Sequence, residues 1–178
     1  MSRHLSEKPL LEAEAIQKRV AGLAVEIEKK YPCDLLVGVL TGAFIFVADL
    51  VRQMNSDLKL AFIKAESYGC SDTSCGEVRF TDIKKLNVKD KRILVIDDIL
   101  DTGHTLNALT KVMQNCGASS VKSCVLLDKP SRREVAFEAD FKGFVIDNVF
   151  AVGYGLDYAD NYRTLPAIYT LQENEEPL

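Results

Sequence analysis

Three carboxylates and a turn of small residues lie close together between residues 93 and 106 of this 178-residue chain. Asp97 and Asp98 follow a run of apolar residues, and Asp101-Thr102-Gly103-His104-Thr105 leads into a helical pattern. Successive backbone N–H groups in such a turn, threonine hydroxyls and the positive end of a helix dipole would together hold a phosphate group. The adjacent acids suit two ribose hydroxyls, or a Mg²⁺ that these hydroxyls share. The segment therefore predicts a site for a phosphorylated sugar.

A simpler interpretation gives this segment no ligand. Asp101 would then be the N-cap of the helix, and Asp97 and Asp98 would form the solvated end of a strand. We favour the ligand site because two acids directly after an apolar strand, with a third before Thr-Gly, are seldom combined by chance.

The segments around this site alternate between strand-like and helix-like patterns. Helices are predicted between residues 10 and 31, at 43–54 and at 105–116, the last with Gly117 as its C-terminal cap. Strands are predicted at residues 35–40, 58–66, 77–81, 92–96, 121–127 and 149–152. In the second of these strands, Leu60, Phe62 and Ala65 are expected to face inward. This order predicts an α/β fold with a mainly parallel sheet, in which ligands bind beyond the carboxyl ends of the strands.

The composition, 47% hydrophobic and 27% charged, is that of an ordinary globular protein, and we expect one domain over residues 1–178 with an acidic tail at 173–178. The sequence shows neither an apolar run that could span a bilayer nor a secretory signal, so we expect a cytoplasmic protein without membrane contact. A net charge of −4 without a basic block argues against nucleic acid as a partner. The five cysteines match no metal or redox motif, and any role of Cys70 and Cys75 stays open.

The segment from residue 93 to residue 106 resembles the motif of the type I phosphoribosyltransferases that binds phosphoribosyl pyrophosphate (PRPP). In that motif an apolar strand is followed by two acids, two apolar residues and Asp-Thr-Gly-x-Thr. The resemblance implies the family's fold: a mainly parallel central sheet flanked by helices, with a small hood formed by the chain termini. It also implies a set of residues that bind PRPP, with its 5′-phosphate in the turn: Asp97, Asp98, Asp101, Thr102, Gly103, His104 and Thr105.

Further segments, over roughly residues 35–171, are similar to the hypoxanthine-guanine phosphoribosyltransferases in particular. Leu40, Thr41 and Gly42 resemble the pyrophosphate loop, which usually has a non-proline cis peptide bond, here expected between Leu40 and Thr41. That family usually carries Lys or Arg where this chain has Thr41. Ser67 and Tyr68 resemble the start of the flexible lid that closes over the reacting centre, here expected at about residues 67–79. On residues alone, the first segment could be an ordinary strand-to-helix turn, and the second a surface loop without a role.

The same resemblance assigns residues to the purine and to pyrophosphate. Lys129 would recognise the exocyclic oxygen of the base and so reject adenine, because an ammonium group only donates hydrogen bonds. Phe150 would stack on the purine, while Ala151 and Asp157 would lie at the edge of the base. Arg163 would hold pyrophosphate. Mg²⁺ is expected at Asp97, Asp98 and Asp157. Without the resemblance, Lys129 would be a surface lysine and Phe150 a core aromatic.

The implied activity is purine salvage by transfer of the phosphoribosyl group of PRPP to N9 of a 6-oxopurine. Hypoxanthine is the first candidate, with guanine or xanthine also open, and the products are the nucleoside monophosphate and pyrophosphate. Asp101 is the candidate general base for the N7 proton of the purine. A homodimer or homotetramer is implied. Two alternatives remain: a PRPP- or nucleotide-sensing regulator of the same fold, and an enzyme of this fold that acts on xanthine, orotate, uracil or adenine.

Overall fold

The computed structural model describes residues 3–54, 57–67, 78–81, 83 and 86–173. Three α-helices, nine strands and a short 3₁₀ helix at Pro130–Arg132 are found in these residues. The strands are β1 (Arg3–Leu5), β2 (Leu35–Leu40), β3 (Lys59–Ser67), β4 (Val78–Phe80), β5 (Arg92–Leu100), β6 (Ser120–Asp128), β7 (Phe141–Val145), β8 (Ala151–Val152) and β9 (Tyr169–Glu173). The helices are α1 (Ala13–Lys30), α2 (Phe44–Gln53) and α3 (His104–Asn115). None of these described helices is both long enough and apolar enough to cross a membrane.

The centre of the fold is a six-stranded sheet with the order β4-β3-β2-β5-β6-β7. The strands from β3 to β7 in this order are parallel, and β4 pairs antiparallel with the end of β3. Helices α1 and α2 pack on one face of the sheet, and α3 packs on the other. Because both faces are covered, β2 and the first part of β5 are apolar at nearly every position. The predicted α/β architecture is confirmed.

Strand β5 is longer than its apolar run predicts. The sequence indicates that the strand ends at Ile96, but it continues through Asp97 and Asp98 to Leu100. The extension is held by β6, since Asp97 lies opposite Val125 and Leu100 lies opposite Asp128. The two acids are therefore part of the strand rather than its solvated end.

The inward face of β3 differs from the prediction. Leu60 and Phe62 are 41% and 39% exposed, whereas Ile63 is buried and Ala65 packs against the core on the α3 side. The expectation was right for Ala65 and wrong for Leu60 and Phe62. Alternation separates the two faces of a strand, but it does not tell which of them is covered when both carry apolar residues.

A small antiparallel sheet, β1-β9-β8, forms the hood that the resemblance implies. It joins the N-terminal strand to the last strand of the described chain. The strand predicted at residues 149–152 is limited to Ala151–Val152, and it lies in this hood rather than in the parallel sheet. The sixth strand of the main sheet is instead β7, which the sequence analysis does not predict.

Candidate active site

A cavity of about 250 Å³ opens where the parallel strands end. It is lined by the end of β5, the turn that follows it, the start of α3 and single residues of β2 and β3. Of the residues proposed from the sequence, six line this cavity: Asp97, Asp98, Asp101, Thr102, Gly103 and Thr105. The structure thus brings the acids and the turn to one cavity at the expected edge of the sheet.

Residues 101–105, which we call the phosphate turn, lead directly into α3. The N-cap of this helix is Gly103, with φ of 90° in the left-handed region, and no side chain caps the helix. Asp101 is therefore not the N-cap, contrary to the simpler interpretation of the segment. Gly103 suits this place because its φ strains any residue with a Cβ atom. The N–H of His104, the first of α3, lies 3.5 Å from Oγ1 of Thr102, a contact too long to compete strongly with an anion at this helix N-terminus.

Asp97 and Asp98, which we call the acid pair, are two neighbouring carboxyl groups with little solvent. Asp97 is buried, and burial followed by the charge of Asp98 raises its pKa well above the ordinary range. Burial also raises the pKa of Asp98, although the N–H of Ile99 and the positive charge of Arg163 act in the opposite direction. A bound cation or ribose hydroxyls would relieve this cost by interacting with the charged carboxylates.

The predicted pyrophosphate loop lies directly against the acid pair. The peptide bond between Leu40 and Thr41 is cis, as the resemblance implies. A Cβ atom on Gly42 would lie 1.7 Å from Oδ2 of Asp98, so only glycine allows this contact. A Cβ atom on Gly155 would lie 2.1 Å from the carbonyl oxygen of Gly42. The two glycines therefore let the loop approach both β5 and the turn after β8.

Arg163 and Asp157 form an ion pair on the same side of the site. Nη2 of Arg163 lies 2.8 Å from Oδ1 of Asp157, and Nη1 donates a 2.8 Å hydrogen bond to the carbonyl oxygen of Gly155. Asp157 also accepts a 3.0 Å hydrogen bond from the N–H of Asp160. Because Gly155 contacts the pyrophosphate loop, these bonds place the guanidinium of Arg163 next to that loop.

Lys129 is not a surface residue, since it is only 6% exposed. Its backbone N–H donates a 2.9 Å hydrogen bond to the carbonyl oxygen of Leu100, which places it beside the phosphate turn. Burial lowers the pKa of its ammonium group, and the negative charge of Asp101 partly opposes this effect. A lysine with so little access to water is a candidate for binding a polar group of a ligand.

Phe150 is 44% exposed and is therefore not a core aromatic. Its ring packs edge-on against Tyr158, with 5.5 Å between the ring centroids and 89° between the ring planes. The next residue, Ala151, is buried and pairs with Thr170 of β9. The aromatic side chain thus stands at the surface of the hood on a fixed backbone.

Comparison with known proteins, by sequence and by structure, finds one family. The Phosphoribosyl transferase domain matches residues 6–159. A hypoxanthine-guanine phosphoribosyltransferase of Bacillus subtilis is 42% identical over 97% of this chain and 97% of its own length. The chain belongs to the hypoxanthine-guanine phosphoribosyltransferase family. A hypoxanthine phosphoribosyltransferase of Escherichia coli is 38% identical over 93% of this chain and 95% of its own length. A solved hypoxanthine-guanine phosphoribosyltransferase of Bacillus anthracis has 35% identity and a TM-score of 0.87, over 96% of this chain and 100% of that one.

The lid that this family membership implies lies mostly outside the described residues. Ser67 is the last residue of β3 and pairs with Val78 of β4, while Tyr68 is outside the described part of the chain. Ala65, near the end of β3, lines the cavity. The end of β3, where the predicted lid would begin, therefore lies close to the cavity.

The donor set fits a magnesium ion held partly by substrate. The acid pair offers carboxylate oxygens, the ligand type that Mg²⁺ prefers. Burial raises the pKa of both carboxyl groups, and a bound cation would offset this cost of their charged forms. In the described part of the chain no group of three or more His, Cys, Asp and Glu side chains could hold a metal ion. Mg²⁺ commonly binds through one or two carboxylates, water and substrate phosphates, so the smaller donor set suits it.

Two arginines that contact the phosphate turn, Arg132 and Arg133, are not among the residues predicted from the sequence. Nε of Arg132 lies 3.2 Å from Oδ1 of Asp101, and Arg133 donates hydrogen bonds to the carbonyl oxygens of Leu100 and Asp101. His104 and Glu134 add a contact of 3.0 Å between Nε2 and Oε2. The run Arg132-Arg133 directly after a strand end was the available signal, but two adjacent arginines are common on protein surfaces.

Proposed function

We propose that this chain transfers the phosphoribosyl group of PRPP to N9 of a 6-oxopurine, with hypoxanthine as the first candidate. The observation that carries the proposal is the cavity where the phosphate turn and the buried acid pair meet. The relatives are enzymes by name, which supports an enzyme rather than a PRPP-sensing regulator. The products would be the nucleoside monophosphate and pyrophosphate, which makes the reaction a step of purine salvage.

PRPP would bind across three segments that the structure brings together. Its 5′-phosphate occupies the phosphate turn, and its ribose hydroxyls lie at the acid pair. Its pyrophosphate lies between the loop at Leu40, Thr41 and Gly42 and the guanidinium of Arg163. Support for this placement comes from the contacts of Gly42 with Asp98 and with Gly155. Thr41 offers a hydroxyl where the family usually has a cation, so Arg163 carries more of the pyrophosphate charge here.

The purine would lie between Lys129 and the hood. The buried ammonium group of Lys129 donates a hydrogen bond to the oxygen on the base, and Phe150 packs against the purine ring. The backbone of Ala151 and of the segment near Asp157 meets the edge of the base. Adenine is rejected because its amino group would face the donor Lys129 and leave both groups unpaired.

In the reaction, N9 of the purine forms a bond to the anomeric carbon of PRPP as the bond from that carbon to pyrophosphate breaks. Asp101 accepts the proton from N7, so the purine leaves neutral as part of the nucleotide. Arg163 stabilises the departing anion, and the acid pair stabilises the positive charge that develops on the ribose. A magnesium ion held by the acid pair together with substrate oxygens and water would supply further charge neutralisation of pyrophosphate. Asp157, expected from the resemblance as a third ligand, does not form one donor group with the acid pair in the described part of the chain. A lid at residues 67–79, with Ser67 and Tyr68, would exclude water that could hydrolyse the sugar.

We also propose that residues 1–178 form one domain that assembles into homodimers or homotetramers in the cytoplasm. Apolar side chains at the surface of α2 and β3 support an assembly, because Phe44, Leu60 and Phe62 are all exposed. The buried thiols of Cys33 and Cys124 are unpaired, which suits a reducing compartment.

The test is an assay of the purified protein with PRPP, Mg²⁺ and one of five bases: hypoxanthine, guanine, xanthine, adenine or uracil. Formation of both nucleotide and pyrophosphate is measured for each base. We expect product with hypoxanthine and none with adenine or uracil. Equal activity with adenine would contradict the role of Lys129, and no product with any 6-oxopurine would contradict the proposed reaction.

A further inference from the structure

The guanidinium of Arg133 links two strand ends that carry proposed substrate-binding residues. Its Nη1 donates hydrogen bonds to the carbonyl oxygen of Leu100, at 3.0 Å, and to that of Asp101. Its Nη2 pairs with Oδ1 of Asp128, a carboxylate that is only 1% exposed. Asp128 is the last residue of β6 and directly precedes Lys129. One side chain therefore contacts both the end of β5 and the end of β6.

Two carbonyl groups of the phosphate turn, those of Asp101 and Thr102, are held by Arg133 and the segment that follows it. The carbonyl oxygen of Thr102 accepts hydrogen bonds from the N–H groups of Glu134 and Val135, at 3.0 and 3.3 Å. In a trans peptide plane the C=O and the following N–H point in opposite directions. Holding the carbonyls of Asp101 and Thr102 on this side therefore directs the N–H groups of Thr102 and Gly103 to the other side, toward the cavity.

The position of Arg133 leaves one of its N–H groups without a hydrogen bond. Its Nε is buried without a hydrogen-bond partner within the described residues, although such donors are usually paired. The bonds of the two Nη atoms thus set the position of the guanidinium group. Gly103 adds to this packing, because a Cβ atom there would lie 3.1 Å from Cδ of Arg133 and 2.9 Å from Cγ2 of Val135.

We propose that Arg133 is a positioning residue that orients the N–H groups of the phosphate turn toward the 5′-phosphate and holds this turn in register with Lys129. The inference rests on the proposed function, since it assumes that the turn binds the 5′-phosphate. Arg133 itself touches no substrate. Removing Arg133 should therefore weaken binding of a ligand with a 5′-phosphate more than binding of the same ligand without it.

The chain offers a matched control in Lys142. Its Nζ lies 2.9 Å from Oδ2 of Asp128, so it is the second cation on the same buried carboxylate. The hydrogen bonds of the Lys142 side chain go to Asp128 and Glu138 rather than to the phosphate turn. Arg133→Met and Lys142→Met thus both remove a positive charge from Asp128, but only Arg133→Met releases the carbonyl groups of Leu100 and Asp101.

The experiment compares binding of inosine monophosphate and inosine to each variant by calorimetry, with thermal unfolding as the second measurement. The ratio of the two dissociation constants isolates the contribution of the 5′-phosphate to binding, and we call this ratio the preference for the nucleotide. We expect both variants to unfold at a lower temperature than the wild type. Arg133→Met should reduce the preference for the nucleotide about tenfold or more, a change of ~1.4 kcal/mol. Lys142→Met should leave this preference within about threefold, roughly 0.7 kcal/mol. An unchanged preference in Arg133→Met would overturn the proposal.

Thr105→Val separates this inference from the proposed function, because Thr105 lines the cavity within the turn. If Thr105→Val lowers the preference and Arg133→Met does not, only the positioning role is wrong. If Thr105→Val leaves the preference unchanged, the turn is not the 5′-phosphate site and the proposed function fails. Should Arg133→Met not fold, the same criteria apply to Arg133→Lys. The ammonium group in that variant keeps the charge beside Asp128, but it lacks the planar fork whose two Nη atoms separately hold Asp128 and the carbonyl oxygens.

Discussion

Two acids that line the cavity and one lysine beside it have environments that disfavour their charged forms. Burial raises the pKa of Asp97 and Asp98 and lowers the pKa of Lys129, so each charged form is disfavoured before a ligand binds. A ligand that supplies positive charge or hydroxyl donors to the acids, and a carbonyl acceptor to the lysine, restores the lost interactions. A magnesium complex of PRPP and a 6-oxopurine have these groups. Residue chemistry and the proposed substrates therefore agree.

The role of Asp101 as general base predicts a selective loss of turnover in Asp101→Asn. The amide keeps the shape of the side chain and leaves the backbone of the phosphate turn in place, but it cannot accept the N7 proton. We expect kcat with hypoxanthine to fall about 10²- to 10⁴-fold, with little change in PRPP binding. Steady-state kinetics and PRPP titration measure the two effects. Asp90→Asn, which alters an exposed carboxylate just before β5, is the control and should keep wild-type turnover.

The role of Lys129 in binding the base predicts that Lys129→Met raises KM for hypoxanthine more than KM for PRPP. The apolar side chain keeps most of the volume but cannot donate to the oxygen of the base. We expect KM for hypoxanthine to rise at least about tenfold, the effect of losing ~1.4 kcal/mol, with KM for PRPP changed much less. Equal increases in both constants would show that the base binds elsewhere.

The lowered pKa of Lys129 also predicts how stability depends on pH. Between this lowered value and the ordinary value of 10.5, the unfolded chain binds more protons than the folded chain. The contribution of Lys129 to the free energy of unfolding therefore rises with pH across this window. We expect the stability of Lys129→Met, relative to the wild type, to fall as pH increases toward 10.5. Urea unfolding between neutral pH and pH 10.5 measures this difference.

A control for this pH effect is Lys111→Met, which removes an exposed lysine from α3. Its stability relative to the wild type should stay nearly constant over the same range. If the curves of Lys129→Met and the wild type run parallel, the pKa of Lys129 is not lowered by folding.

At the scale of the elements, the sequence predicts those strands and helices whose apolar pattern is unbroken. Strand β7 was missed because it contains Lys142 and Gly143, both unfavourable in strands. A tertiary contact requires glycine at position 143, since a Cβ atom there would lie 2.3 Å from the carbonyl oxygen of Leu126. The end of β5 was misplaced because backbone pairing with β6 continues after the side chains become acidic. Neither cause is visible in a single segment of sequence.

The turn after β8 predicts that one added methyl group, at Gly155, lowers the stability of the protein and raises KM for PRPP. Gly155 has φ of 100°, and a Cβ atom there would meet the carbonyl oxygen of Gly42. We expect Gly155→Ala to lower the free energy of unfolding by about 1–3 kcal/mol, because of the strained φ alone. Displacement of this turn also moves the carbonyl group that holds Arg163, so KM for PRPP should rise. Urea unfolding and steady-state kinetics measure the two effects.

Gly22→Ala is the matched control, because it makes the same change in an exposed part of α1. The new Cβ atom would have its nearest neighbour at 3.7 Å, an ordinary contact. Alanine favours a helix over glycine, so this variant should be more stable by roughly 0.5–1 kcal/mol, with unchanged kinetics. A stable, fully active Gly155→Ala would show that the close approach of the turn to the pyrophosphate loop is not required.

At the scale of the whole molecule, the sequence alone predicts the layers but not how distant segments meet. Periodicity identifies the covered faces of β2, β5 and the helices, and hence the edge of the sheet where the site lies. The meeting of the pyrophosphate loop, the acid pair and the turn at Gly155 depends on contacts between residues more than 50 positions apart. The resemblance to a known family supplied the proposed roles of these segments, because a family motif contains spatial information that periodicity lacks.

The exposed face of β3 belongs to a continuous apolar surface. Phe62 lies beside Gly38 and Val47, since a Cβ atom on Gly38 would be 2.8 Å from the ring of Phe62 and 3.0 Å from Cγ2 of Val47. Leu60 lies on the same face of β3 and lines a small cavity with Val51 and Met54. Phe44, one turn before Val47 on α2, is also exposed. This apolar surface, next to the pyrophosphate loop, is where the proposed assembly would make its contact.

This surface predicts that Leu60→Glu converts the proposed oligomer to smaller species. A buried, unpaired carboxylate would disfavour the contact strongly, whereas the same side chain is solvated in a monomer. Sedimentation velocity of the wild type and the variant at equal concentration measures the change in mass. Val145→Glu is the control, because Val145 is 65% exposed on β7 at the opposite edge of the sheet and should not alter the mass. Dissociation by Val145→Glu but not by Leu60→Glu would place the interface on the other edge, and a monomeric wild type would contradict the assembly itself.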